Sequence, residues 1–447
     1  MPIEQSSTVR LDLTMQASAS IRKIAVIGSG ISGLSSAYRL GQSGHGVTLF
    51  EANDYFGGHT HTVDVTLGGI TYGVDTGFLV FNHKTYPNLV ELFDELDIKT
   101  VATDMSFSVK LPLARRTLEW SGAGLNTVFA QRRNLFSSRF IRMLRDILRF
   151  NQQATALAIA PQDPEPGLNL GDFLVRHHYS SEFRDWYLLP MAGCIWSCPT
   201  TQMTAFPLTT FVRFCHNHGL LQVNDRPQWR TVKGGARHYV EKILAAIADK
   251  RLNTPVHTVS RTRTAGRPQI RIDSASGSEL FDHVVLAGHS DQSLSLLQDI
   301  SPDERRLLSA VAYQPNRAVL HTDTSCLPAN KSTWSAWNYQ SNNAAQPQVC
   351  VHYLINKLQP LPFSEPVIVS LNPITEPHPD KVLGVFDCAH PVFDSAAIAA
   401  QRELQLIQGR HNTWFAGAWT GYGFHEDGLK SGLAVAQAIA ACGAGHA

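Results

Sequence analysis

The chain has 447 residues, 43% of them hydrophobic and 17% charged, with a formal net charge of +1. That length is too great for one simple core and predicts two joined domains. Near-neutral charge gives no general electrostatic reason to bind nucleic acid, and no apolar run is long enough for a transmembrane helix.

Residues 1–20 mix Glu4, Asp12 and small polar residues without a signal-peptide core, and are expected to be a disordered leader. Ile24 to Ile27 is an apolar run suited to a buried parallel strand. Gly28, Gly30 and Gly33 then fall in a G-x-G-x-x-G pattern that opens an apolar-faced helix carrying Leu34, Ala37, Tyr38 and Leu40. The first glycine permits a tight turn, the second lets backbone approach a pyrophosphate, and the third lets helix and sheet pack closely. The helix N-terminus offers free N–H groups to phosphate. A second strand, Val47 to Phe50, ends at Glu51, whose carboxylate can accept both ribose hydroxyls of an adenosine. The stretch predicts an adenine dinucleotide site.

Six residues past Glu51 stands a second pair, Gly57-Gly58, followed by His59. Thr60 to Val65 and Gly69 to Val74 read as a hairpin, and Asp75-Thr76-Gly77-Phe78 as a turn after it. Tyr86 to Leu96 has the period of a helix, with Leu89, Val90, Phe93 and Leu96 on one face. Residues 115–149 hold eight arginines against Glu119 and Asp146. Within them Ser138 to Phe150 predicts an amphipathic helix, with an apolar stripe of Phe140, Leu144, Ile147 and Leu148. Its basic stripe is Arg139, Arg142, Arg145 and Arg149. That stripe is either a solvated face or a peripheral contact with anionic lipid headgroups.

Pro161 to Pro166 reads as a loop, and Phe183 to Trp196 is dense in aromatics. Cys194, Cys198, Cys215, His216 and His218 follow zinc-ligand spacing only loosely and are read as packing, so no metal is expected. The seven cysteines are read as reduced thiols of a cytoplasmic protein. Gly234-Gly235 precedes a predicted helix, Ala236 to Ala248, and strands are expected at 256–260, 269–273 and 283–287. Residues 302–311 predict a helix; 317–323, 348–355 and 367–371 predict strands, with Trp334, Trp337 and Tyr339 clustered between them. Thr413 to Ala416 reads as a strand, Gly417 as a turn, and Gly428 to Ala441 as a small-residue helix preceded by a loop, Phe424-His425-Glu426-Asp427.

The two glycine motifs, Glu51 and the C-terminal strand–glycine–helix together resemble the flavin-containing amine oxidase superfamily and, more broadly, flavoproteins of the glutathione-reductase type. A narrower resemblance is to an FAD-binding oxidoreductase family that also forms the N-terminal part of plant cyclopropane fatty-acid synthases. It is carried by IWSCP (195–199), NHGLL (217–221), RPQWRTVKGG (226–235), SAWNY (335–339) and GYGFHEDGLKSG (421–432). The resemblance implies an α/β fold: a Rossmann-like FAD-binding domain (21–105, 225–290 and 410–447) with an interleaved α+β substrate domain (106–224 and 291–409). It implies FAD as cofactor, held by Gly28, Gly30, Gly33, Glu51, Gly57, Gly58, His59, Gly77, Val256, Gly417, Asp427, Gly428 and Leu429. It further implies an oxidoreductase moving hydride between flavin and an apolar, fatty-acyl-like substrate by dehydrogenation, desaturation or isomerisation.

Two departures bear on the activity. Amine oxidases usually follow the second glycine pair with Arg, where this chain has His59. No lysine stands in a stretch that matches their catalytic one; Lys331 and Lys357 are only candidates. His425 is the expected proton donor or acceptor, for its ordinary pKa suits acid–base work, and Glu426 is second. Cap-and-loop hydrogen bonding is the structural alternative for both residues and for Asp427. The rival functions are a flavin amine oxidase and a non-catalytic lipid-binding escort on the same fold.

Overall fold

The structure, a computed structural model, describes residues 21–161, 167–222, 225–341 and 349–442. The N-terminal leader, most of the loop after Pro161 and the first residue of the strand expected at 348–355 lie outside the described residues.

Five strands form a wholly parallel sheet in the order Asp249–Arg251, Gly46–Phe50, Lys23–Ile27, His283–Leu286, Thr413–Phe415. Its central strands are apolar in succession because both faces are covered: Ile24, Ala25 and Val26 are fully buried, as are Val284 and Val285. Helix Ile31–Gln42 follows the first strand, and the last helix, His425–Ala441, packs against it. Their contact is close enough that a Cβ at Gly432 would lie 2.3 Å from Ser32 O. The sheet therefore joins strands Lys23–Ile27 and Thr413–Phe415 through His283–Leu286, and the helix His425–Ala441 begins beside the glycine turn.

A three-stranded antiparallel meander, Val256–Thr264, Arg267–Ser274 and Gly277–Phe281, stands beside this sheet. A seven-stranded sheet forms the other body in the order 382–392, 312–321, 368–371, 350–354, 337–340, 107–113, 116–121. Its neighbours are antiparallel except Trp337–Gln340 against Phe107–Leu113. The hairpin Thr62–Leu67 and Ile70–Asp75 links the two bodies. Asp75 holds that junction. Its buried carboxylate accepts from Ala236 N at 2.9 Å, Thr62 Oγ1 at 2.5 Å and Gln359 Nε2 at 2.8 Å.

Three expectations need correction. The long helix runs from Ser138 to Ile159, and its buried face is Phe140, Met143, Asp146, Phe150 and Ala154, while Leu148 is 60% exposed. Asp146 disguised the true face. It is turned inward because its carboxylate accepts both the N–H and the hydroxyl of Ser180. His425, Glu426 and Asp427 form the first turn of the last helix rather than a loop before it. The longest strand of the second sheet, Val382–Val392, was not foreseen at all.

Candidate active site

The glycine turn is built as its spacing predicts. Gly28 has φ +99°, and its N–H donates to Phe50 O across the sheet at 2.9 Å. At Gly33 a Cβ would lie 1.9 Å from Gly28 O, so the helix can leave the turn only from a glycine. Gly30 is different. Its φ of −61° suits any residue, and a Cβ there would meet no atom of the protein within 4 Å. Nothing in the fold requires glycine at this position; it leaves space in front of a helix N-terminus, where a pyrophosphate belongs.

Glu51 is buried at the end of the second strand, accepting from Ser29 N (2.9 Å), Ser29 Oγ (2.5 Å) and Asn53 N (3.0 Å). Glu51 O accepts from Thr254 N, which brings the start of the Val256 strand alongside. Gly57 and Gly58 both have positive φ, and a Cβ at Gly58 would lie 3.0 Å from Gly30 Cα. Gly77 passes so close to His59 that a Cβ would lie 2.1 Å from His59 O. On the C-terminal side Gly417 N donates to Ser431 Oγ at 2.9 Å, Gly428 packs on Ile31, and Leu429 is fully buried. The structure thus brings Gly28, Gly30, Gly33, Glu51, Gly57, Gly58, His59 and Gly77 together around the glycine turn, with Gly428 joined to it through Ile31. Its spare space at Gly30 and its ribose-type carboxylate fit an adenine dinucleotide.

A cluster of histidines gathers around His59. The rings of His59 and His390 lie 5.1 Å apart. His59 presents surface to the cleft but is enclosed by the surrounding protein, and burial holds it down to about 4, with His289 adding repulsion. Burial likewise lowers His390 to about 3, helped by His59 and His289, and His425 to about 3, helped by His59. His425 is therefore neutral at pH 7, not a half-titrated group as the sequence suggested. It stacks on Phe78 at 3.9 Å, and its Nε2 lies 2.7 Å from Tyr239 OH, which is 2.5 Å from Thr60 Oγ1.

Sequence reasoning missed His390 and Cys388. They alternate on one face of the unforeseen strand 382–392, and their donor atoms lie within 4.8 Å of each other and of a His59 nitrogen. The hydrogen bonds around His390 fix its tautomer. Arg317 N donates to Asn372 Oδ1, Asn372 Nδ2 to Asn316 Oδ1, and Asn316 Nδ2 to His390 Nδ1 at 3.0 Å. A neutral His390 then carries its proton on Nε2 and is a hydrogen-bond donor there, not a metal ligand.

The other two C-terminal acids are engaged. Glu426 accepts from Asn88 N, Asn88 Nδ2 and Leu89 N, capping the helix Pro87–Glu95. Asp427 accepts from Phe424 N at 2.9 Å and closes the first turn of its own helix. Of the lysines, Lys357 pairs with Asp104 at 3.2 Å and Lys331 lies over Trp334. Beside the helix start stands an aromatic wall. Phe424 stacks on Phe214 at 4.8 Å, Trp196 lies 4.6 Å from Phe214, and Trp196 Nε1 donates to Tyr422 O. Cys194, Cys198 and Cys215 are buried thiols, and burial pushes Cys198 up to about 12.

Known proteins agree with this architecture. Residues 31–365 match the family model described as flavin containing amine oxidoreductase. A 1-hydroxycarotenoid 3,4-desaturase of Flavobacterium sp. (strain P99-3) is 42% identical over 82 residues, 17% of this chain and 15% of that protein; the chain thus spans about a sixth of the length of that relative. Cyclohexylamine oxidase from Brevibacterium oxydans IH-35A superposes with a TM-score of 0.66 at 16% identity, over 94% of this chain and 99% of that one. A CLA-producing fatty acid isomerase from P. acnes superposes with a TM-score of 0.63 at 16% identity, over 94% and 98%. With three quarters of its length matched to the family model, the chain belongs to the flavin containing amine oxidoreductases, a family of FAD-dependent oxidoreductases.

Proposed function

We propose that the protein moves hydride between FAD and an apolar, fatty-acyl-like substrate, in a dehydrogenation, desaturation or isomerisation. The observation that carries this reading is the aromatic wall at Phe424, Phe214, Trp196 and Tyr422. Trp196 and Phe214 are buried in the core, and the half-buried Tyr422 and Phe424 packed on them leave apolar ring surface beside the helix start. The neighbouring acids, Glu426 and Asp427, are spent on helix caps, so neither is free to pair with a substrate ammonium. The likeness to proteins described as a carotenoid desaturase and a fatty acid isomerase supports the same class, while cyclohexylamine oxidase supports the amine alternative. In this reading residues 21–105, 225–290 and 410–447 hold the cofactor, and 106–224 with 291–409 hold the substrate.

The cofactor is retained by Glu51 at the ribose, the Gly28–Gly30 turn at the pyrophosphate, and the segments around His59, Gly77, Val256, Gly417 and Asp427–Leu429. FAD, when bound, supplies a two-electron acceptor for hydride. The chain's own part is to hold the reacting carbon and handle the accompanying proton. In a desaturation one C–H bond gives up its hydrogen with the electron pair, and the neighbouring carbon loses a proton as the double bond forms. His425, fixed by Phe78 and Tyr239, is the group placed to relay that proton to the Tyr239–Thr60 pair; its lowered pKa keeps it neutral, so it passes the proton on and does not store it.

Anaerobic mixing of the FAD-loaded protein with membrane-lipid extracts tests this. Bleaching of the flavin absorption by acyl lipids, and not by a panel of primary and secondary amines, is the expected result. Bleaching by amines alone would replace the reading with amine oxidation. His425→Ala is expected to keep its flavin and lose about 100-fold in turnover. Full turnover in that variant would remove His425 from the mechanism.

A further inference from the structure

The segment just before the long helix exposes apolar side chains that no other described residue covers. Phe136 is 91% exposed, Leu125 80% and Leu135 46%. Soluble surfaces scatter such residues singly; here Leu135 and Phe136 are adjacent on one short turn, Arg132–Phe136. The turn is held firmly from beneath. Asn134 is buried, its side chain accepts from Arg116 at 3.1 Å, and Phe140, one helical turn on, packs on Phe129 and Trp120. Phe136 is therefore presented outward by a built scaffold.

The charge around this tip has one sign. Residues 115–145 contain Arg115, Arg116, Arg132, Arg133, Arg139, Arg142 and Arg145, and Glu119 as the sole acid. Glu119 is buried and accepts from Ala329 N and Asn330 N, so it does not neutralise the surface. From the neighbouring segment Glu182 pairs with Arg139 and approaches Arg142 at 4.0 Å. No carboxylate pairs with Arg115, Arg132, Arg133 or Arg145 among the described residues. Arg116 lies close enough to Arg133 and Arg139 for their repulsion, after burial, to lower its own pKa.

We propose that this face docks on an anionic lipid bilayer, with Phe136, Leu135 and Leu125 entering the headgroup–acyl boundary and Arg115, Arg132 and Arg133 meeting phosphates. Exposed apolar side chains flanked on the same segment by exposed arginines match that boundary in both polarity and charge. The site is not the arginine stripe of the helix itself, since Arg139 and Arg149 are paired with Glu182 and Asp146. The long helix connects this face with the aromatic wall: Phe150 on its inner side meets Phe211, one turn from Phe214. The docking is measured without turnover, so it stands or falls apart from the substrate assignment.

The test is co-sedimentation of the full chain, loaded with FAD, with two kinds of vesicle. One is phosphatidylcholine alone; the other contains roughly one part in three of phosphatidylglycerol. Binding to the anionic vesicles that weakens with added salt is expected, with little binding to the neutral ones. Phe136→Asp should abolish it. Arg132→Gln and Arg133→Gln should each weaken it about fivefold. Leu406→Asp, at an exposed apolar residue elsewhere, should leave it intact. Retained flavin absorption verifies that each variant is folded. Equal binding to both vesicles, no binding to either, or equal loss in the Leu406 variant would overturn the proposal, as would binding to duplex DNA or RNA but not to vesicles.

Discussion

Gly30→Ala is expected to fold normally and to bind FAD about 10- to 100-fold more weakly, whereas Gly33→Ala is expected to disturb the fold itself. The two glycines belong to one motif, but the structure separates their reasons. A Cβ at Gly33 would stand 1.9 Å from Gly28 O and 3.2 Å from Ala287 Cβ, and neither neighbour can rotate away. Helix Ile31–Gln42 would have to lift off the sheet, and with it the contact to the last helix. At Gly30 the backbone is ordinary and the space beyond Cα is open. A methyl group there costs the apoprotein nothing but intrudes on the ligand; overpacking of that size costs about 1–3 kcal/mol, which sets the range of affinity lost. Thermal melts of the two apoproteins, with flavin-fluorescence titrations, separate the cases. If Gly30→Ala bound FAD as tightly as the parent, the open space at Gly30 would not be the pyrophosphate seat.

How far the sequence led depends on the range of the interactions involved. Gly28, Gly30, Gly33 and Glu51 were readable because the motif is local: a strand, a turn and a helix within 30 residues impose their own steric demands. His390 and Cys388 were not, because their strand, Val382–Val392, contains Gly384 and Pro391 and has no clear two-residue period. It tolerates proline because it lies at the edge of its sheet. Its partner, Ala312–His321, is some 70 residues away in the chain. Asp75 read as part of a turn, yet it ties the hairpin to Ala236 and to Gln359, contacts that only the folded chain creates. The acids after Phe424 were visible as candidates for chemistry or for capping; Asn88, which decides the matter for Glu426, lies 338 residues away.

A second large effect is expected in acid. Across the seven-stranded sheet runs a buried chain of hydrogen bonds with one direction. Asp323 N donates to His321 Nδ1 at 3.0 Å, so His321 carries its proton on Nε2, which donates to Ser370 Oγ at 2.7 Å. The Ser370 hydroxyl then donates to His352 Nδ1 at 2.6 Å, and His352 Nε2 donates to Gln340 Oε1 at 2.8 Å. Both histidines are buried; a second proton on His321 would point at the Asp323 N–H, a donor at a donor, and one on His352 would force the Ser370 hydroxyl to turn away from it. Burial accordingly lowers His321 to about 4 and His352 to about 3, the latter helped by His321 and Lys110. The unfolded chain binds these protons below pH 6.5 and the folded chain does not, so their contribution is complete above 6.5 and is lost as pH falls toward 4 for His321 and toward 3 for His352. At pH 5 the loss is about 2 kcal/mol for each histidine, against a total stability of about 5–15 kcal/mol. Asp75 acts in the opposite sense, since burial raises it to about 7 and its contribution fades as pH rises through that value. The decisive measurement is thus a comparison: urea unfolding between pH 7 and 5 for the parent and for His352→Gln. The variant should be less stable at pH 7 and should lose about 2 kcal/mol less on acidification. Parallel curves for the two proteins would show that the chain of histidines is not what makes the fold sensitive to acid.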